Sequence, residues 1–143
     1  MKNQYYLYKL SRDDKKVGWD EYSSGVVIAK NEYDAVRIHP NADRFSDGDY
    51  KWSDKSERWY SLDDFKFWIK QNKIMLENEN PSENEAIELF IEEIIERTKN
   101  YGYNNENYYK YAKWDHIDNI KIEKICSVDL QEERMILADF NAG

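Results

Sequence analysis

The chain is poor in cysteine, proline and glycine, with one Cys, two Pro and five Gly among 143 residues. A single thiol, Cys126, cannot close an internal disulfide, and a chain without such staples fits a reducing cytoplasm. Five glycines supply no Gly-rich phosphate loop, and no G-x-S-x-G nucleophile turn occurs. The two histidines, His39 and His116, have no second His or Cys at ligand spacing, so the converging N and S donors of a zinc site are missing. No run approaches the roughly 18 apolar residues of a membrane-spanning helix. Met1-Lys2-Asn3-Gln4 passes straight into a strand-like segment, with no apolar leader. Positive charge is also scarce, at 21 Lys and Arg against 29 Asp and Glu, a net charge of −8. That balance repels phosphate backbones and anionic lipid surfaces, which argues against direct nucleic-acid and membrane binding.

Aromatic residues are abundant: 12 Tyr, 5 Trp and 5 Phe. Disordered chains lack them, so a folded core is expected. The length fits one domain, residues 1–143, which buries about two thirds of its unfolded surface without covalent help.

Periodicity sets the expected elements. Gln4–Leu10 reads as a first strand, and Ser24–Ala29, β-branched and apolar, as a second strand covered on both faces. Asn31 caps a short helix, which Pro40 stops near His39. Residues 41–60 read as a polar loop with a small hairpin turning at Ser46-Asp47-Gly48-Asp49. Ser61-Leu62-Asp63-Asp64 opens a helix with Leu62, Phe65, Trp68 and Ile69 as its apolar stripe. Ser82 and Glu85 form an S-x-x-E capping box before Ala86, Ile87, Phe90, Ile91, Ile94 and Ile95, with Gly102 as a natural stop. Asn104–Ala112 reads as a further, tyrosine-rich helical turn. Ile120–Ile125 alternates as a half-buried strand, and Arg134–Phe140 is a last strand. The expected class is α+β: a small antiparallel sheet of about four strands, in the order β-β-α, helical insertion at about 53–112, β-β. Short links make neighbouring strands the expected pairs.

No constellation points to chemistry. Asp43, Asp47, Asp49 and Asp54 do not follow the calcium-loop order, and Arg44 sits among them. No spacing singles out a carboxylate pair for acid–base work. Cys126, beside Ile125, reads as a buried, inert thiol. No catalytic residue, metal site or cofactor is therefore assigned.

Trp19-Asp20-x-Tyr22, Val26-Val27-x-Ala29 and Ala35-x-x-Ile38-His39-Pro40 form one recognisable piece. Ile136-Leu137-Ala138-x-Phe140-Asn141-Ala142-Gly143 forms another, and Trp114 with the 120–128 strand a third. Together they resemble a family of short proteins encoded in bacteriophage and prophage genomes, over roughly half of the chain. The resemblance implies a phage origin and carries no activity with it. The helical middle has no counterpart in that pattern.

Two readings follow. In the first, the chain is a non-enzymatic inhibitor acting in the host cytoplasm. It occupies the basic surface of a nucleic-acid-binding host defence protein such as a CRISPR nuclease. Glu85, Glu88, Glu92 and Glu96, opposite the isoleucine stripe, and Tyr108 and Tyr109 are its candidate contacts. In the second, it is a sponge for a small immune nucleotide. Trp19, Tyr22, Arg37, His39, Arg44 and Asn141 would bind the signal, in pockets shared within a homo-oligomer.

Overall fold

The computed structural model of the chain describes residues 4–12, 21–43, 49–100, 110–129 and 134–141. The order is β1 (Tyr5–Ser11), β2 (Glu21–Ala29), α1 (Glu32–Val36), β3 (Tyr50–Ser53), β4 (Arg58–Ser61), α2 (Leu62–Gln71), α3 (Lys73–Glu79), α4 (Glu83–Asn100), β5 (Lys121–Val128) and β6 (Arg134–Asn141). Single 3-10 turns lie at Pro40–Asp43 and Ile117–Asn119. The class is α+β. One antiparallel sheet of four strands runs β5-β1-β2-β6, and β3 and β4 form a separate hairpin.

The sheet is built on β1 and β2. Val27, Ile28 and Ala29 are all buried, so both faces of β2 are covered, as its unbroken apolar run requires. In β1, buried Tyr8 and Leu10 flank exposed Lys9, the period-two pattern of a strand with one covered face. The outer strands depart from expectation. β5 and β6 follow one another in the chain but do not pair. β5 adds to β1, and β6 adds to β2. The physical reason is that a β1–β2 hairpin leaves two open edges, and each late strand closes one. β5 also slips in register, setting Leu7 opposite Cys126 and Tyr8 opposite Lys124. Ile125 is bulged between them and stands 52% exposed. Cys126 is exposed on this edge strand, which corrects the expectation of a buried thiol.

Capping explains the helix starts. Asn31 Oδ1 accepts the Asp34 amide at 2.8 Å, and α1 ends at Val36, ahead of His39. Ser61 Oγ accepts the Asp64 amide at 3.2 Å. Phe65 and Trp68 face inward from α2, whereas Ile69 is exposed. A break at Asn72 separates α2 from α3, an element the sequence reading did not resolve. Asn80, left-handed at φ 46°, closes α3 and donates its amide to Leu76 O at 2.8 Å. At the start of α4, Glu85 N–H donates to Ser82 Oγ at 3.2 Å, the N-cap half of the expected box, and the Ser82 hydroxyl donates to Glu85 Oε1 at 3.1 Å. Gly102 and most of the 104–112 segment lie outside the described residues.

The loop expected over 41–60 is largely structured. β3 and β4 pair through Trp52 opposite Trp59 and turn at 54–57. The expected Ser46–Gly48 turn lies outside the described residues. Two cores result. The first gathers Tyr8, Leu10, Val27, Trp59 and Trp114 against the sheet. The second gathers Tyr60, Phe65, Trp68, Phe90 and Ile91 between the hairpin and α2–α4. The hairpin thus serves both, Trp59 facing one core and Tyr60 the other.

Because Trp59 and Ala112 belong to the first core, an inserted helical unit is best tested by excising residues 62–109 and keeping the hairpin. The remnant is expected to retain a sheet signature and a cooperative melt by circular dichroism, and a featureless spectrum would make the helices part of one indivisible core. In the full chain, Trp59→Ala and Phe90→Ala should each cost about 3–5 kcal/mol in urea titrations.

Candidate functional site

Four successive backbone carbonyls organise the interior. Ala112 and Lys113 both adopt left-handed backbone, at φ 49° and 63°. The turn they make presents the 112–115 carbonyls to four different parts of the chain. Ala112 O accepts from His39 Nε2 at 2.8 Å, and Lys113 O from the Tyr22 amide at 2.9 Å. Trp114 O accepts from Arg12 Nη1 at 2.7 Å, and Asp115 O from Trp59 Nε1 at 2.9 Å. The Asp115 carboxylate accepts from the His116 amide at 2.7 Å and from Asn119 Nδ2 at 3.3 Å.

His39 is 1% exposed. Its Nε2–H donates to Ala112 O, so Nδ1 is the acceptor, and it takes the Asn41 amide at 3.0 Å. Tyr22, Tyr50 and Trp59 enclose the ring at centroid distances of 5.8, 4.8 and 4.9 Å. The Tyr22 hydroxyl in turn donates to Asn41 Oδ1. Burial lowers the His39 pKa to about 3 against the opposing pull of the Ala112 carbonyl, so the ring is neutral. His39 and Tyr22 meet, but as core residues closed to a ligand.

Arg37 is committed elsewhere. Its Nη2 lies 2.9 Å from Asp54 Oδ1, its Nη1 donates to Tyr33 O at 2.9 Å, and its guanidinium sits 3.5 Å from the centre of the Tyr33 ring. The Arg37 hydrogen bond, opposed by some burial, holds the Asp54 carboxyl below its usual range. Asn141 pairs with Glu21 through the backbone of β6. Trp19 and Arg44 lie outside the described residues, as do Tyr108 and Tyr109. Of the described members of the nucleotide-binding set, Tyr22 and His39 thus lie in the core and Arg37 is turned to Asp54.

The acidic helix divides its carboxylates. Glu88, expected on the open face, is half-buried: Oε1 accepts from Ser53 Oγ at 2.9 Å and Oε2 from Ser56 Oγ, tying α4 to the hairpin turn. Glu93 accepts from Trp68 Nε1 and from Arg97 Nη2. Glu85, Glu92 and Glu96 are exposed. At 100° per residue they fall with Leu89, itself 37% exposed, within an arc of about 60°. None of the three forms an ion pair with a described residue. Beside the row, a cleft of about 410 Å³ opens between the hairpin turn and α4, lined in part by Trp52, Tyr60, Asn84, Glu85 and Glu88.

Trp52, Ser53, Ser56 and Tyr60 were not singled out from the sequence. The Tyr50-x-Trp52 and Trp59-Tyr60 aromatics were the available signal for the hairpin, but nothing in the chain order links Ser53 to Glu88. Among the described residues no group of three or more His, Cys, Asp or Glu could hold a metal ion, and no helix is long and apolar enough to cross a membrane. No protein-family model, curated protein or solved structure matches the chain.

The His39 environment makes a pH prediction. The folded state keeps the ring neutral down to about pH 3, while the unfolded chain takes a proton below about pH 6.5. The unfolded state binds more protons in this window, so stability is greatest above pH 6.5 and falls as the pH drops. Urea titrations should show a loss of about 2 kcal/mol from pH 6.5 to 5, at about 1.4 kcal/mol per unit. His39→Gln should start less stable and lose the slope. A parent whose stability is flat over that window would contradict the assignment.

Proposed function

We propose that the chain is a non-enzymatic binding protein that occupies a basic surface of a partner protein through the acidic row of α4. The observation that carries this reading is the row itself. Glu85, Glu92 and Glu96 are exposed and form no ion pair with a described residue, while Glu88 and Glu93 are engaged in packing the fold. Exposed carboxylates aligned on one rigid helix steer a basic partner and set its orientation. Leu89, at one edge of the row, supplies an apolar contact beside the charges. The phage-like sequence pattern adds the context: a counter-defence inhibitor in the host cytoplasm, acting by occupancy on a defence protein whose nucleic-acid channel is basic, as an anti-CRISPR protein would.

The test is a triple reversal, Glu85→Lys, Glu92→Lys and Glu96→Lys. The melting temperature should move by only a few degrees, because exposed substitutions have small effects. Association with the host protein captured by the parent should slow by about tenfold or more at low salt, and its salt dependence should flatten. A variant that binds and inhibits as well as the parent at low salt removes the acidic row from the mechanism.

A further inference from the structure

We infer that the outer face of α2 and α3 pairs with the same face of a second copy of this chain, the helices running antiparallel across a two-fold axis. The inference does not rest on the docking reading above.

The first observation is a helix with no core of its own. α3, seven residues long, has no buried residue. Met75 and Leu76 are half-buried against the second core, and Ile74 stands 77% exposed. So short a helix does not hold itself together in water, and its stability comes from what it packs on. Phe67, on α2, is 63% exposed. Ile74 and Phe67 are the most exposed large apolar side chains among the described residues.

The two lie on one stripe. Helical hydrogen bonds run through the break at Asn72, whose amide donates to Trp68 O at 3.0 Å and whose carbonyl accepts from the Leu76 amide at 3.0 Å. The helical phase therefore carries from α2 into α3, and burial follows it: Phe65, Trp68, Met75 and Leu76 all pack into the second core. At about 100° per residue, Phe67, Lys70, Ile74 and Glu77 fall within about 80° of one another on the opposite side. All four are exposed. Their spacing of three, four and three is that of a seam between two helices.

The charges on the seam select its occupant. The stripe reads apolar, basic, apolar, acidic. A two-fold axis crossing it beside Ile74 reverses that order in the second copy. Ile74 then meets Ile74, and Lys70 of each copy meets Glu77 of the other, so one favourable pair forms twice. An in-register parallel pairing would set like charges opposite one another. Lys70 forms no ion pair with a described residue, and Glu77 holds only Lys73, at 4.0 Å and largely in solvent. A basic partner of the kind that suits the α4 row does not fit here, because Lys66, Lys70 and Lys73 are all exposed on this side. An anionic lipid surface is opposed by the net charge of −8. Phe65 and Trp68 pack on Phe90 of α4 at 5.4 and 5.8 Å, so the stripe faces away from α4. A dimer built here leaves the acidic rows open and presents two of them to one partner.

Sedimentation velocity on the full chain over a concentration series tests the inference. The chain should pass from monomer to dimer and form nothing larger. Ile74→Asp, at an exposed position, should leave the melting temperature within a few degrees and weaken the dimer about tenfold or more. Lys70→Glu and Glu77→Lys should each weaken it about fivefold or more, since the two-fold repeats each reversal. Lys70→Glu combined with Glu77→Lys restores both pairs and should bring the affinity back to within about twofold of the parent. A chain that stays monomeric up to about 1 mM, a dimer that Ile74→Asp leaves intact, open-ended assembly, or a double variant no better than the single ones overturns the inference. So does a monomer that needs Ile74 to capture a host protein or to bind anionic vesicles, which gives the face to that occupant instead.

Discussion

The fold depends on the four carbonyls of 112–115. Each accepts a hydrogen bond from a different element: Arg12 after β1, Tyr22 in β2, His39 after α1, and Trp59 in β4. Three of these bonds are between ordinarily neutral partners, and one comes from a guanidinium. At about 1 kcal/mol for each neutral bond and about 2 for the charged one, the group contributes about 5 kcal/mol, comparable with the whole stability of a small domain. The left-handed backbone at Ala112 and Lys113 opposes this by about 1–2 kcal/mol per residue. Such a conformation persists in non-glycine residues because the surrounding bonds determine it.

This clamp explains how a chain with no disulfide fixes elements remote in sequence. It locks the hairpin through Trp59, and the hairpin in turn fixes α4. Trp59 and Tyr60 are adjacent and point into different cores. Glu88 adds a second tie from α4 back to Ser53 and Ser56. The acidic row and the cleft beside it are therefore mounted on a rigid frame. Rigidity matters for a protein that works by occupancy, because little ordering entropy is then lost on binding.

Much of this architecture was legible locally. Asn31, Ser61 and the Ser82–Glu85 box announced three helix starts, because capping acts within a few residues. The β2 run and the β1 alternation announced the central strands. What could not be read was long-range. The placement of β5 and β6 on opposite edges depends on which edges the first hairpin leaves open, and the exposure of Cys126 depends on that placement together with the bulge at Ile125. Glu88 repeats with Glu85, Glu92 and Glu96 at helical spacing, yet its serine partners lie in a turn that composition alone did not reveal. The candidate row was thus visible in the chain. The cleft was not, since its walls come from two elements whose meeting is set by the core.

Native-state hydrogen exchange of the Tyr22 amide and the Trp59 indole tests the clamp most directly. If the 112–115 carbonyls hold the fold together, both protons should exchange only through global unfolding, with opening free energies equal to the full unfolding free energy and the same dependence on denaturant. Exchange of either proton through small local openings, while the β1–β2 amides stay protected, would contradict the account.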